Sequence, residues 1–182
     1  VGVADIEVGH DDLILGTRRG IWVLDDLSGL RALRPKVKAA PAHLFTPLAA
    51  ERLRLDFRWD SGMPGEAPNR PRGMMINYWL KDAAKDPEPG KPRLVDDPAE
   101  LKLEILDAIG RVLRTLSAVP KPKRYAKEDP DEPEKPNEGA LTRKRGLNRA
   151  VWDLRHEGSK RIIAKFDAGP ADVGPMVLPG TY

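Results

Sequence analysis

Leu13-Ile14-Leu15-Gly16-Thr17-Arg18-Arg19-Gly20-Ile21-Trp22-Val23-Leu24-Asp25-Asp26 decides how the rest of the chain is read. Two short apolar runs, 13–17 and 21–24, flank Arg18-Arg19-Gly20 and close on two aspartates. Strand-forming runs around a glycine turn make a β-hairpin. A hairpin alone is marginal in water. Leu13, Leu15, Ile21, Trp22 and Val23 would leave one of its faces bare, and bare apolar faces are usually covered by something. The hairpin therefore poses the question of what packs on it.

Outward from the hairpin, residues 3–26 as a whole look like β structure. Residues 28–50 lose strict period. Pro35, Pro41 and Pro47 mark this stretch as a linker, with one helical turn near Ser28 to Leu33. Leu53, Leu55 and Phe57 then alternate with Arg54, Asp56 and Arg58, a half-buried strand pattern. Met74, Ile76, Tyr78 and Leu80 alternate with Met75, Asn77 and Trp79. Both faces are largely apolar there, which suits a central strand. Leu101, Leu103 and Ile105 alternate with Lys102 and Glu104, followed by the turn Asp107-Ala108-Ile109-Gly110. Gly110 is free to take positive φ. Residues 111–116 return as the partner strand.

Residues 120–146 differ, with five prolines among basic flanks and an acidic middle, and read as an exposed, charged loop. Residues 147–155 resume a strand, with Ala150, Trp152 and Leu154 on one face. Pro179-Gly180-Thr181-Tyr182 reads as a turn leading into a further strand. Short strands separated by prolines suggest an all-β sandwich. Trp152, Leu103, Ile105 and Ile76 are expected together in its core. The expected division is a hairpin at 1–27, a linker at 28–50 and a β-sandwich at 51–182.

Composition narrows the function classes. Of 182 residues 40% are apolar, enough for a core, and 18 prolines and 16 glycines favour turns over long helices. Lys+Arg (31) nearly balance Asp+Glu (28), giving +3 overall, and aromatics are only 5%. That argues against nucleic acid as a partner. The absence of cysteine removes disulfides, thiolate zinc sites and a cysteine nucleophile from the chain. No transmembrane run of about eighteen apolar residues occurs, and no signal peptide is visible. The chain starts at Val1, and it reads as a mature or proteolysed product whose true N-terminus is missing, so that an export signal could have been lost.

Chemistry-bearing residues are scattered. The adjacent pairs Asp11-Asp12, Asp25-Asp26 and Asp96-Asp97 do not offer the two separated carboxylates that glycoside hydrolysis needs, because neighbours on a strand point to opposite faces. They read as turn and strand-end acids. His10, His43 and His156 lack metal-ligand spacing. Ser28, Ser61, Ser117 and Ser159 complete no nucleophile motif. No catalytic, cofactor-binding or metal site is expected, and no cofactor. Trp22 and Trp152 suit core positions. Trp59 and Trp79 are the tryptophans that would mark an interface if exposed. The interaction candidates are Trp22, Ile21, Leu15, Trp59 and Trp79.

Residues 13–27 resemble the last blade of bacterial sortilin-like propellers, a family often described as BNR-repeat or VPS10-type glycosyl hydrolases. Ala42-His43-Leu44-Phe45-Thr46-Pro47 is similar to the linker that follows that blade. Residues 73–80, 101–107, Gly110, 112–116, 146–155 and 179–182 resemble the C-terminal immunoglobulin-like domain of the same family. The strand-turn-strand and the later Trp152-Asp153 are also similar to the FlgD-type immunoglobulin-like module. The resemblance implies a propeller-blade-like hairpin before an immunoglobulin-like β-sandwich. It implies a periplasmic or extracellular location and partners that are either other protein subunits or a missing propeller domain. A position peripheral to a membrane complex is compatible with it. The family's hydrolase activity belongs to the propeller and does not transfer to these residues, which also lack an Asp-box. The expected function is a non-catalytic structural and interaction module of a larger assembly. The alternative is an accessory domain of a secreted sugar-acting propeller hydrolase.

Overall fold

The computed structural model describes residues 2–52, 70–83, 101–118, 141–158 and 174–182. The expected strand at 53–58, Trp59, the Asp96-Asp97 pair and most of the charged loop at 120–146 lie outside the described residues. Within them the chain is mostly antiparallel β structure with two short helices. It divides into two compact units. One comprises residues 1–83 and 144–151, the other residues 84–143 and 152–182.

The first unit begins with a three-stranded meander: β1 (Val3–Gly9), β2 (Asp12–Thr17) and β3 (Gly20–Leu24), in the order β1-β2-β3. The hairpin expected from the sequence is β2–β3, in the register Leu13↔Leu24, Leu15↔Trp22 and Thr17↔Gly20. Gly20 takes φ +138, and the Thr17 hydroxyl donates to its carbonyl at 2.9 Å, which closes the turn. The third strand, β1, pairs with β2 through Ile6↔Leu15 and Val8↔Leu13.

The stretch read as a linker is more ordered than its prolines suggested. It holds α1 (Ser28–Arg31), α2 (Pro35–Ala39) and a short strand, β4 (Ala42–Leu44). Pro35 opens α2 at a position where a helix needs no N–H donor. β4 pairs with β5 (Met74–Leu80), which is the central strand of a second sheet in the order β4-β5-β8. β8 spans Gly146–Trp152. Met75, Ile76, Asn77, Tyr78 and Leu80 of β5 are buried, as befits a strand apolar on both faces.

In the second unit, β6 (Lys102–Leu106) and β7 (Val112–Ser117) form a hairpin. Its turn is held by Asp107. One oxygen of that carboxylate accepts from the Ile109 and Arg111 backbone N–H groups, at 3.0 and 2.8 Å, and the other from Arg111 Nε at 2.7 Å. Gly110 takes φ +80. The Arg111 backbone and guanidinium hold the Asp107 carboxyl below its usual range. Ile105, Leu116, Leu141 and Val177 are buried, and Trp152 is the most enclosed large side chain at 1% exposure. Trp152 meets Tyr182 edge to face with ring centroids 5.4 Å apart, and its Nε1 donates to the Arg155 carbonyl at 2.9 Å. Leu141, the first described residue after the charged loop, is buried and donates its N–H to Ser117 O. Of the expected core, Trp152, Ile105 and Ile76 are buried, while Leu103 is only half-buried. Tyr182 lies in no described strand.

Candidate interaction surface

The meander β1–β3 has no buried residue. Its side chains sort by pairing, because residues opposite each other in a sheet share a face. Ile6, Val8, Leu13, Leu15, Trp22 and Leu24 form an apolar block on one face, which ends at Thr17 by the turn. Trp22 is 62% exposed and Ile6 61%. Leu13 and Leu15 are half-buried, being in the middle strand. The other face carries Glu7, Ile14, Ile21 and Val23, with Asp5 opposite Gly16, and is mixed. Asp5, Glu7, Ile14, Gly16 and Ile21 line a shallow hollow there. Ile21 is 75% exposed.

The sequence candidates therefore distribute unevenly. Trp22 and Leu15 are directly opposed on the apolar face, and Ile21 lies on the other. The core position expected for Trp22 is not realised among the described residues, since β3 is an edge strand there and Trp22 is exposed. Trp79 sits apart, on β5 opposite His43, and is half-buried; its Nε1 is enclosed without a hydrogen-bond partner among the described residues. Trp59 lies outside the described residues.

What the sequence did not reveal is how firmly the meander is mounted. Asp26 and Asn77 are each 2% exposed, and a polar joint runs between them. The Asp26 carboxylate accepts from the Ser28 N–H at 2.9 Å and from Asn77 Nδ2 at 2.8 Å. Arg149 of β8 donates from Nε to Asn77 Oδ1 at 3.1 Å and from its terminal nitrogen to the Asp26 carbonyl at 2.8 Å. On the meander side, Asp12 accepts from the Asp26 N–H at 2.9 Å, and Leu27 N–H donates to Asp11 O. Asp11 also pairs with Arg31. Asp11, Asp12 and Asp26, three of the residues read as turn and strand-end acids, thus tie β2 and β3 to α1 and to the second sheet. One signal was in the sequence: Asn77 is the lone strongly polar residue of the run 74–80.

Among the described residues no group of three or more metal-ligating side chains gathers, and no helix is long and apolar enough to cross a membrane. With this geometry in hand, comparison with protein-family models, with curated proteins and with solved structures finds no match.

Proposed function

We propose that the chain is a non-catalytic interaction module whose three-stranded meander packs on other protein chains of a larger assembly. One observation carries this reading: six apolar side chains share one face of a sheet, and Ile6, Val8, Trp22 and Leu24 are exposed on it. Contiguous exposed apolar surface of this kind marks a site of association. The joint through Asp26, Asn77 and Arg149 supports it further, since a rigidly mounted face loses little entropy on docking. The immunoglobulin-like sandwich and the location outside the cytoplasm belong to the same proposal and rest on the resemblance of residues 73–80, 101–107, Gly110, 112–116, 146–155 and 179–182 to exported sortilin-like proteins.

A second reading has a specific observation in its favour. Propeller blades are four-stranded antiparallel sheets, and β1–β3 is a three-stranded antiparallel meander. The covering partner is then a propeller, and the chain is the accessory end of a secreted sugar-acting hydrolase.

The test is Trp22→Arg in the native source. The wild-type chain is expected to run within a larger complex and the variant to be released from it, with the unfolding midpoint unchanged because Trp22 supports no core. A native protein in which these residues run free of any partner chain and of any propeller overturns both readings. The mass of the covering partner, propeller or separate subunit, decides between them. On either reading the isolated chain hydrolyses no glycoside in a substrate panel.

A further inference from the structure

The two edges of the meander are not alike. β1 carries Asp5 and Glu7, with an irregularity in its pairing between Val3 and Asp5. Charges and bulges are the usual guards of an open edge. β3 carries neither: Gly20-Ile21-Trp22-Val23-Leu24 is uncharged, and all five residues are exposed. The charges lie just outside it, with Arg19 before the strand and Asp25 after it. Neither of their side chains has a partner among the described residues.

We infer that β3 pairs antiparallel with β3 of a second copy of this chain, centred on Trp22, so that two meanders join into one six-stranded sheet. This deepens the docking reading and rests on it. The register follows from charge. With Trp22 opposite its own symmetry mate, Ile21 faces Val23 and Gly20 faces Leu24. Arg19 of each copy then faces Asp25 of the other, giving two ion pairs that bracket an apolar centre. Arg18 falls opposite Asp26, whose carboxylate is already held by Ser28 and Asn77 and adds nothing. A shift of two residues either way sets a charge against an apolar residue. The same operation on β1, centred on Ile6, sets Asp5 against Glu7, two like charges in direct opposition. The pairing also brings the two Trp22 rings together on the apolar face, a favourable cross-strand contact. An edge contact of this size is below that of a standard stable interface, so the expected dimer is weak, with a dissociation constant on the order of 10–100 µM.

The chain has no cysteine, which makes the test clean. Directly opposed residues in an antiparallel pair lie about 4.5–5.5 Å apart, within disulfide reach. Purified Trp22→Cys is expected to cross-link to a dimer under mild oxidation, and Leu24→Cys, four residues out of register with itself, is not. By sedimentation equilibrium, Arg19→Asp and Asp25→Arg are each expected to weaken dimerisation by about tenfold, and the double swap to restore it. These are surface changes that leave the fold intact, as circular dichroism checks. If the wild-type chain stays monomeric at several hundred micromolar (an order-of-magnitude ceiling) and Trp22→Cys does not cross-link, self-pairing is wrong. The docking reading survives that result if the chain still runs within a larger native complex, and falls with it if the chain runs there alone. Cross-linking of Leu24→Cys as fast as Trp22→Cys also overturns the register.

Discussion

At the scale of single residues, the first unit depends on groups that a composition-based reading passes over. Gly29 lies in α1 against Asn77, and a Cβ added there would sit 2.9 Å from the Asn77 Cβ, too close without a shift of helix or strand. Gly29→Ala is therefore expected to lower stability by about 1–3 kcal/mol, despite the better helix propensity of alanine. Calorimetry or urea unfolding checks it, and a stabilised variant would show that the helix moves freely. Asn77→Leu strips Asp26 and Arg149 of a buried partner, and about 2–4 kcal/mol is expected from that loss. The double variant Asn77→Leu/Arg149→Met should cost less than the sum of the two singles, because both remove the same contact. Asp26 holds φ +58, a conformation that aspartate tolerates better than most residues. In the second unit Trp152→Ala should cost about 3–5 kcal/mol. An unchanged midpoint would mean that the Tyr182 contact and the burial of the indole carry no weight.

At the scale of elements, the β6–β7 hairpin carries the closure of its own turn. Its turn is closed by Asp107, whose carboxylate is favoured in the ionised form by the Arg111 N–H and guanidinium. A carboxyl whose folded pKa is lowered contributes stability above its ordinary value of 3.8, and loses that contribution as pH falls from there towards the folded value. The gap in unfolding midpoint between wild type and Asp107→Ala is thus expected to be widest near neutrality and to shrink in acid below that value. A gap independent of pH would rule out the ionised carboxylate as the cause. Gly110→Ala should cost about 1–2 kcal/mol at any pH, since φ +80 is strained for alanine even though nothing crowds the position. The hairpin and the strand around Ile76 were legible because period-two alternation is a local property of the chain. β1 was read only as general β structure, and β4 was missed. β4 is three residues between prolines, and it exists because the open edge of β5 pairs with it, with the Phe45 N–H continuing the ladder to Asn77 O.

At the scale of the whole molecule, two compact units carry different burdens. The second encloses Trp152. The first leaves six apolar residues on one open sheet face and is braced by a buried polar joint instead. A molecule built this way should show its weakness in solution before it shows it in unfolding. Trp22→Arg is expected to raise the protein concentration tolerated without association while leaving the denaturant midpoint within about 0.5 kcal/mol of wild type. Light scattering across a concentration series measures the first and urea unfolding the second. A loss of several kcal/mol would place Trp22 in a core after all.

The predominance of strands, the two hairpins with their glycine turns, and the apolar character of 13–24 and 74–80 are local properties that follow from the chain alone, because alternation and turn chemistry act over a few neighbouring residues. The sequence also brought forward Trp22, Ile21 and Leu15 as a group in need of cover. That Trp22 stays exposed while Trp152 is enclosed is a matter of the fold, for both occupy similar apolar strand contexts and differ only in what lies across from them. The fold alone showed that Asp26, Asn77 and Arg149, spread over 123 positions of sequence from first to last, meet in one joint. No local pattern marks such a meeting: a buried polar residue is stable only when its partners arrive from elsewhere in the chain, and that is a property of the fold.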